Sequence, residues 1–447
     1  MSIQTVQVVL SAVCGLVLLA EPPVALAGND DEVPIGNQAA MSGGAVTATA
    51  SDGAAAWYNP AGVAAVTQDT VDVSGSVFSI RHYRMGEFLS ASTGDHADAR
   101  TTELVTIPSA LTLVRPVSER VNVSLGVFVP RTVDIRVRDT LFTYGPESTW
   151  ILDLASKTQA YHAGGTIAVR AHDTVRVGFT LGGIYTTQSA RGEFFGEVVG
   201  PDGATGIFGL TIDASVWTVG LEAALGLQWD PTPALSLGLS VRSPSLEIYS
   251  SSEADIVTTS AMAGGMSTPG ADLVLESAAV DGIERASLYP PRVRAGVAWR
   301  FSRGWVALDG DFQPAWSDDT FQTEREPVWN VRVGGTVRVS DDVALGAGFF
   351  SDRASDPDPA DLTDTRADFY GGSFGITFDN THGLAEDEEA ETITFSSTVA
   401  LRYAYGSGEV GSLFVDFADP AREIVKVRVT DYTVHEIGLH VGSALYF

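Results

Sequence analysis

Alternation with a period of two runs through this chain. In the stretch RVNVSLGVFVP, Val121, Val123, Leu125, Val127 and Val129 share one side, while Asn122, Ser124 and Gly126 share the other. Successive side chains of an extended strand point to opposite faces, so the stretch reads as a strand with one apolar face and one small or polar face. TVRVGFTL repeats the device with Val175, Val177, Phe179 and Leu181 against Arg176, Gly178 and Thr180. ALSLGLSVR does the same with Leu235, Leu237, Leu239 and Val241 against Ser236, Gly238, Ser240 and Arg242. Further strands of this kind begin near Val71, Leu104, Thr166, Ile207, Arg292, Trp305, Trp329, Val343, Asp368, Thr392 and Gly411. Turn signals such as DPTP (Asp230 to Pro233), SRG (Ser302 to Gly304) and SDD (Ser340 to Asp342) separate them. Long stretches of period 3.6 are nearly absent. Residues 392–447 read equally as two strands or three.

The end of the chain sharpens this pattern. Phe447, Leu445, Val441, Leu439 and Ile437 alternate with Tyr446, Ala444, His440 and Gly438, and only Ser443 breaks the apolar side. A last strand with an aromatic terminal residue resembles the assembly signal of bacterial outer-membrane barrels; the alternative is the last strand of a soluble β-sandwich. In hydrocarbon every backbone N–H and C=O must be paired, so strands cross a membrane only as a closed barrel without a free edge. The expected fold is therefore all-β, a transmembrane antiparallel barrel. Polar segments at 86–102, 138–156, 190–205, 250–290, 317–327, 351–368 and 380–391 are expected as its loops, with DRASDPDPADLTDTRAD and AEDEEAE strongly acidic.

Charge and the N-terminus narrow the function. The chain carries 56 acidic and 27 basic residues, a formal charge of -29. Phosphate binding needs a basic face, so nucleic acid is excluded as a partner. Val6 to Ala20 form an apolar run, followed by Pro22, Pro23 and VALA (Val24 to Ala27). This resembles a secretory signal peptide cleaved after Ala27, although no Lys or Arg precedes the run. Cys14, the one cysteine, lies inside that segment. An exported chain without cysteine draws its stability from a large core or a closed sheet, because disulfides are not open to it.

Catalytic readings fare poorly. GGSFG (Gly371 to Gly375) fits the hydrolase pattern with Ser373 as nucleophile, but that elbow needs a strand–turn–helix, and Phe374, Ile376 and Phe378 continue a strand alternation. The seven histidines have no metal-ligand spacing. SDPDPADLTD lacks the Gly and terminal Glu of a calcium loop. No cofactor, no metal and no enzymatic activity are expected.

One stretch stands apart from the strands: ASDGAAAWYNPAGVAAV, residues 50–66, is nearly uncharged yet carries Trp57, Tyr58 and an Asn-Pro. With its flank, NQAAMSGGAVTATASDGAAAWYNPAGVA (residues 37–64) resembles the N-terminal signature of the FadL/TodX family, outer-membrane channels for long-chain fatty acids and other hydrophobic compounds. LGVFVP (Leu125 to Pro130), LGLSVRSP (Leu237 to Pro244), YPPRVRAGVAWRF (Tyr289 to Phe301), WVALDGDFQPAWS (Trp305 to Ser317) and WNVRVGGTVRVSDDVALGAGFFSD (Trp329 to Asp352) continue the likeness in order. The resemblance implies a 14-stranded barrel closed by a small N-terminal hatch whose Asn-Pro-Ala motif matches Asn59, Pro60 and Ala61. The domains would be a signal peptide at 1–27, a hatch at 28–69 and a barrel at 70–447. Small Ala and Gly residues suit a hatch that packs inside a lumen, and Asn-Pro sets a rigid turn.

The resemblance also implies function: passive outer-membrane transport of hydrophobic solutes such as fatty acids or aromatic hydrocarbons, gated by the hatch, with a sideways exit near a kinked strand. Gly126 and Pro130 mark a candidate irregularity, since Pro donates nothing to a ladder; a strand that ends at Pro130 is the equal alternative. A fatty-acid carboxylate needs a cation, for which Arg81, Arg84, Arg131, Arg136 and Arg138 near strand ends are candidates. Outer-membrane lipid and lipopolysaccharide are further partners of the surface arginines, and the protein is expected as a monomer. The rival reading is a structural or adhesive barrel whose acidic loops bind a surface partner.

Overall fold

The computed structural model describes residues 33–143, 147–199, 205–263, 271–281, 289–318, 323–362, 364–383, 392–417 and 425–447. The expected signal peptide and the segment AEDEEAE lie outside them. The strands are β1 (Thr70–Ala91), β2 (His96–Pro116), β3 (Val121–Thr143), β4 (Glu147–His172), β5 (Val175–Val199), β6 (Thr205–Thr232), β7 (Leu235–Arg242), β8 (Leu246–Ala263) and β9 (Ala271–Asp281). They continue with β10 (Arg292–Phe301), β11 (Gly304–Gln313), β12 (Trp316–Asp318), β13 (Thr323–Arg325), β14 (Val328–Arg338), β15 (Val343–Asp352), β16 (Thr365–Gly383), β17 (Thr392–Val415) and β18 (Val425–Tyr446). Fourteen of them form a closed antiparallel barrel: β1 to β7, β10, β11 and β14 to β18. Pairing of β1 with β18, from Thr70–Tyr446 to Met85–Tyr432, closes it. No edge is left where hydrocarbon would meet it, apart from one seam described below.

The two ends of the barrel differ. Connections such as 117–120, 173–174, 233–234 and 302–303 are tight and define a turn end, at which Phe447 N–H bonds the carbonyl of Asp69 at 2.9 Å. The other end carries the longer connections. Strand length is uneven: β10, β11 and β15 have 10 residues each, whereas β4 has 26 and β6 has 28. About ten tilted residues suffice to span a bilayer, so β1 to β6 and β16 to β18 stand well above the low half of the wall. Above the end of β7 the upper part of β6 pairs with β8 instead, from Leu221–Leu246 to Thr205–Ala263, and β9 pairs with β8.

This geometry corrects two expectations. The segments 86–102, 138–156 and 190–205 are largely strand and 250–290 holds most of β8 and all of β9, since ladders continue where neither face touches lipid and apolar alternation is no longer required. The strand expected near Gly411 is the upper part of β17, so residues 392–447 hold two strands.

Alternation decides which side chain goes where. Leu125, Ile167, Leu181, Leu225, Val306, Leu308, Val331, Phe374 and Leu401 point outward and form an apolar belt. Aromatic residues edge it: Trp229, Trp299, Phe301, Phe378 and Phe395 towards the turn end, and Trp217, Tyr249, Trp329, Tyr403 and Tyr405 towards the loop end. Rings of this kind mark the two interfaces of a membrane barrel. At the level of the belt, inward positions are mostly small or polar, and the lumen they leave is occupied at the turn end by the segment from Val33 to Gln68. It folds as α1 (Asn37–Met41), α2 (Ala55–Tyr58) and a 3-10 helix (Pro60–Ala65).

Candidate functional site

The hatch is short helices and turns, so its backbone leaves many polar groups for the wall to satisfy. Wall side chains do so from all around: Asn122 Nδ2 donates to the carbonyls of Val63 and Val66, both at 2.7 Å. Gln228 Nε2 donates to Ala50 O at 3.0 Å, and Arg242 Nη2 to Trp57 O at 2.7 Å. Asp309 Oδ2 accepts from Thr47 N–H at 2.7 Å. Ser373 Oγ accepts from Gly43 N–H at 2.9 Å, so the serine of the GGSFG stretch lies within β16 and anchors the hatch.

Asn59 is the centre of this seat. Its Oδ1 caps the 3-10 helix by accepting from Ala61 N–H at 3.2 Å. Its Nδ2 donates to Thr47 O at 2.7 Å within the hatch and to Leu227 O of β6 at 3.0 Å. One fully buried side chain thus joins two hatch turns and the wall, while Pro60 at the first helical position needs no N–H partner. Hatch backbone and wall approach closely only because the wall is glycine there. A Cβ on Gly226 would strike Asn59 Oδ1, one on Gly178 would strike Pro60, one on Gly238 Thr47, and one on Gly334 or Gly348 Ser42. These are inward members of the alternating strands, and their smallness makes room for the hatch.

Above the hatch the lumen divides into two environments. On the β10, β11 and β14 side Asp311 is ringed by Arg292 Nη2 at 2.7 Å, Arg332 Nη1 at 3.0 Å and Arg294 Nε at 3.1 Å. Arg294 also lies 5.2 Å from the centre of the Tyr58 ring. Towards the loop end of the tall half the lumen is filled by an apolar cluster: Tyr83, Phe88, Leu89, Val133, Leu141, Trp150, Phe194, Phe208, Leu413 and Tyr432 are buried together. Part of its cover is the tip of the β1–β2 hairpin. At Glu87, with φ of 47°, β1 bends inward, and Leu89–Ala91 run parallel to Leu413–Val415 of β17.

One seam of the wall is incomplete. β2 and β3 pair from Pro116–Asn122 only up to Ala110–Phe128, although both strands continue far beyond. At that point β3 carries one more residue than β4: Phe128 faces His162 and Arg131 faces Ala160, so Val129 and Pro130 stand opposite Tyr161 alone. This is a β-bulge, which bends its strand and ends regular pairing. Pro130 lies inside it, whereas Gly126 pairs regularly with Thr112 and Gly164. The N-terminal segment backs the gap, with Val33 packed against Val105, Ile107 and Val129, and Trp57 lies 5.8 Å from Phe128 between ring centres. Just below it, on the outer face, Leu113, Val123, Leu125, Gly165, Ile167 and Phe179 line an apolar groove of about 530 Å³.

The five arginines proposed from sequence do not form one site. Arg81 and Arg131 are buried and point inward. Arg84, Arg136 and Arg138 are exposed on the outer face, where Arg84 meets Asp98 at 3.3 Å and Arg136 meets Asp153 at 2.8 Å. The bulge at 129–130 explains part of the error, because it shifts the phase of the alternation between Val127 and Arg136. Sequence reading missed Arg292, Arg294, Arg332 and Asp311. Their signal was present as charges two residues apart on the polar face of RVRAGVAWRF, and as Asp309 and Asp311 on the strand that pairs with it.

At the turn end a polar cavity of about 580 Å³ separates hatch from wall, lined by Gln38, Asp52, Asp72, Arg338, Asp379 and Tyr446 among others. Burial pushes the Asp52 carboxyl up to about 6, against the backbone N–H groups of Gln38, Ala54 and Ala55 that favour its anion.

No protein-family model matches the chain, and no curated protein is significantly similar to it. Solved structures are. A FadL homologue of Pseudomonas aeruginosa matches with a TM-score of 0.58 and 14% identity, covering 93% of this chain and 98% of its own. The toluene transporter TodX of Pseudomonas putida gives 0.61 and 14%, covering 92% and 98%. The chain shares the fold of these channels. The toluene transporter TbuX of Ralstonia pickettii is similar as well, at a TM-score of 0.52 and 12% identity, over 94% of this chain and 99% of its own.

Proposed function

We propose that the protein is an outer-membrane channel for passive uptake of hydrophobic solutes, with fatty acids and aromatic hydrocarbons as the substrate classes. The observation that carries this reading is the adjacency of a buried apolar cluster to a break in the wall, above a hatch that blocks the straight route. The solute enters at the loop end, exchanges water for the apolar side chains around Trp150 and Phe194, and leaves sideways between β2 and β3 into the membrane. Each CH2 moved out of water contributes about 0.8 kcal/mol, so an apolar path needs no energy source. The apolar belt and its aromatic rims support placement in a bilayer, with the turn end towards the periplasm. That the structural neighbours include toluene transporters and a FadL homologue supports the same class of cargo.

In this reading the hatch is the gate. Val33 and Trp57 support the gap from within, so withdrawal of the N-terminal segment would clear the sideways route. Arg292, Arg294 and Arg332, gathered around Asp311 beside the hatch, offer a head-group site for a carboxylate, a role for which they replace Arg84, Arg136 and Arg138. The latter three, above the apolar belt on the outer face, suit the phosphates of lipopolysaccharide. The test is uptake of labelled oleate and labelled toluene by cells that lack their own hydrophobic channel and express the wild type or Asn59→Ala. Uptake of either by the wild type, altered in the variant, is the expected result. No uptake of either from a barrel folded at the surface would leave the structural or adhesive role.

A further inference from the structure

Where the β2–β3 ladder stops, side chains take over its work. On the edge of β3 that faces the gap, Asp134 N–H donates to Glu103 Oε1 at 2.7 Å, and Thr132 O accepts from Arg81 Nη1 at 3.0 Å. Glu103 stands on β2 and Arg81 directly beside it on β1. The second oxygen of Glu103 accepts from Tyr83 O–H at 2.7 Å and lies 3.9 Å from Arg81 Nη1. Arg81 Nε reaches Glu436 Oε2 at 3.2 Å, and Glu436 is also paired with Arg402. Arg81, Glu103 and Glu436 are each at most 7% exposed.

We propose that Glu103 is the latch of the wall gap, a positioning residue that holds β3 to β2 when the sideways route is shut. The proposal rests on the sideways exit described above and names the group that controls it. A backbone ladder opens only by loss of many bonds at once, but this closure depends on two side chains, and rotation of the Glu103 carboxylate releases Asp134 and leaves Arg81 on Thr132 O as the remaining tie. Arg81 keeps Glu436 as a partner when Glu103 leaves, so opening does not strand a buried guanidinium. Tyr83, itself part of the apolar cluster, touches the latch. A solute that displaces Tyr83 therefore acts on Glu103 without reaching the membrane first.

The experiment uses the full chain with Cys14→Ser and one reporter, Val105→Cys, behind the gap. A membrane-soluble maleimide is added to the protein in phospholipid vesicles, and the labelling rate is compared with and without Glu103→Ala or Glu103→Gln. Folding is checked by heat-modifiable gel migration. Glu103→Ala is expected to speed labelling by about tenfold, the loss of one charge-assisted hydrogen bond. Glu103→Gln, which keeps an acceptor for Asp134 N–H, is expected to give a smaller rise. A rate for folded Glu103→Ala within about twofold of its parent overturns the proposal; should Glu103→Ala not fold, an unchanged rate in Glu103→Gln does so. Labelling is read without transport, so a wild type that takes up neither oleate nor toluene refutes the channel and leaves the latch result separate.

Discussion

The seam between β17 and β18 and the seam between β2 and β3 are made of the same kind of strand, yet only one is closed along its length. β17 and β18 pair without a register shift from Thr394–Tyr446 to Val415–Val425. β2 and β3 part above Ala110–Phe128. Behind the complete seam the hatch adds little, such as the approach of His440 to Asn37 at 3.3 Å. Behind the incomplete one stand Val33, Trp57 and the Arg81–Glu103 network. A membrane barrel tolerates unpaired backbone only where something else satisfies or covers it, and here both the hatch and buried ions do so.

Removal of the bulge should abolish the difference. Deletion of Pro130 brings β3 back into phase with β4 and presents its free edge to β2, so the seam should zip shut. Uptake should fall by about a hundredfold in a barrel that still shows heat-modifiable migration, since one added ladder bond after another now has to break. Uptake unchanged from wild type would place the exit elsewhere.

Removal of the support behind the gap should have the next largest effect. Asn59→Ala leaves the carbonyls of Thr47 and Leu227 without their donor and removes the cap on the 3-10 helix, at a cost of about 2–3 kcal/mol. Amide exchange at residues 47–62 should quicken by roughly thirtyfold or more, while β17 and β18 stay protected. Equal exchange in variant and wild type would mean that the remaining wall contacts, from Asn122, Gln228, Arg242, Asp309 and Ser373, hold the hatch without Asn59.

Acidity tunes the same support more weakly. The Asp52 carboxyl titrates near 6 in the folded hatch, above its ordinary range, so folding favours its protonated form. The resulting stability is present below the unfolded value near 4 and is lost as the pH rises through about 6. Protection factors of the hatch amides, taken relative to the base-catalysed intrinsic rate at each pH, should be lower at pH 8 than at pH 5, by at most about tenfold because Asp52 is partly exposed to the polar cavity. Asp52→Asn should flatten that profile.

The smallest effect is expected on the complete seam. Leu401 is an outward residue of β17, 54% exposed and opposite Leu439 of β18. Leu401→Ala changes a lipid contact and leaves every ladder bond in place, so uptake should change by less than about twofold. A larger loss would show that the two seams are coupled.

Much of this molecule was legible in single stretches. ALSLGLSVR announces both faces of its strand, and Gly238 on the small face is the position against which Thr47 packs. The Asn59-Pro60-Ala61 turn points to a role inside a barrel through its resemblance alone, before any contact is known. Other features were hidden by phase. Arg84 and Arg81 lie three residues apart on β1, yet the first faces outward and the second the lumen. Glu103 and Glu436 carry no signal of their own, because each is one carboxylate among 56 acidic residues and the two are far apart in the chain. They acquire a meaning only once β1 lies between β2 and β18.

By itself the sequence determined the alternating stretches of the strands that bear the apolar belt, the two faces of those stretches and the presence of a compact apolar segment ahead of the first strand. Those are local properties, set by side-chain period and turn chemistry within a few residues. Only the tertiary structure decided where the β2–β3 ladder ends, which inward glycines meet the hatch and which buried charges lie beside the gap. These depend on register between strands far apart in the chain, where one extra residue at the bulge changes the partner of every residue beyond it.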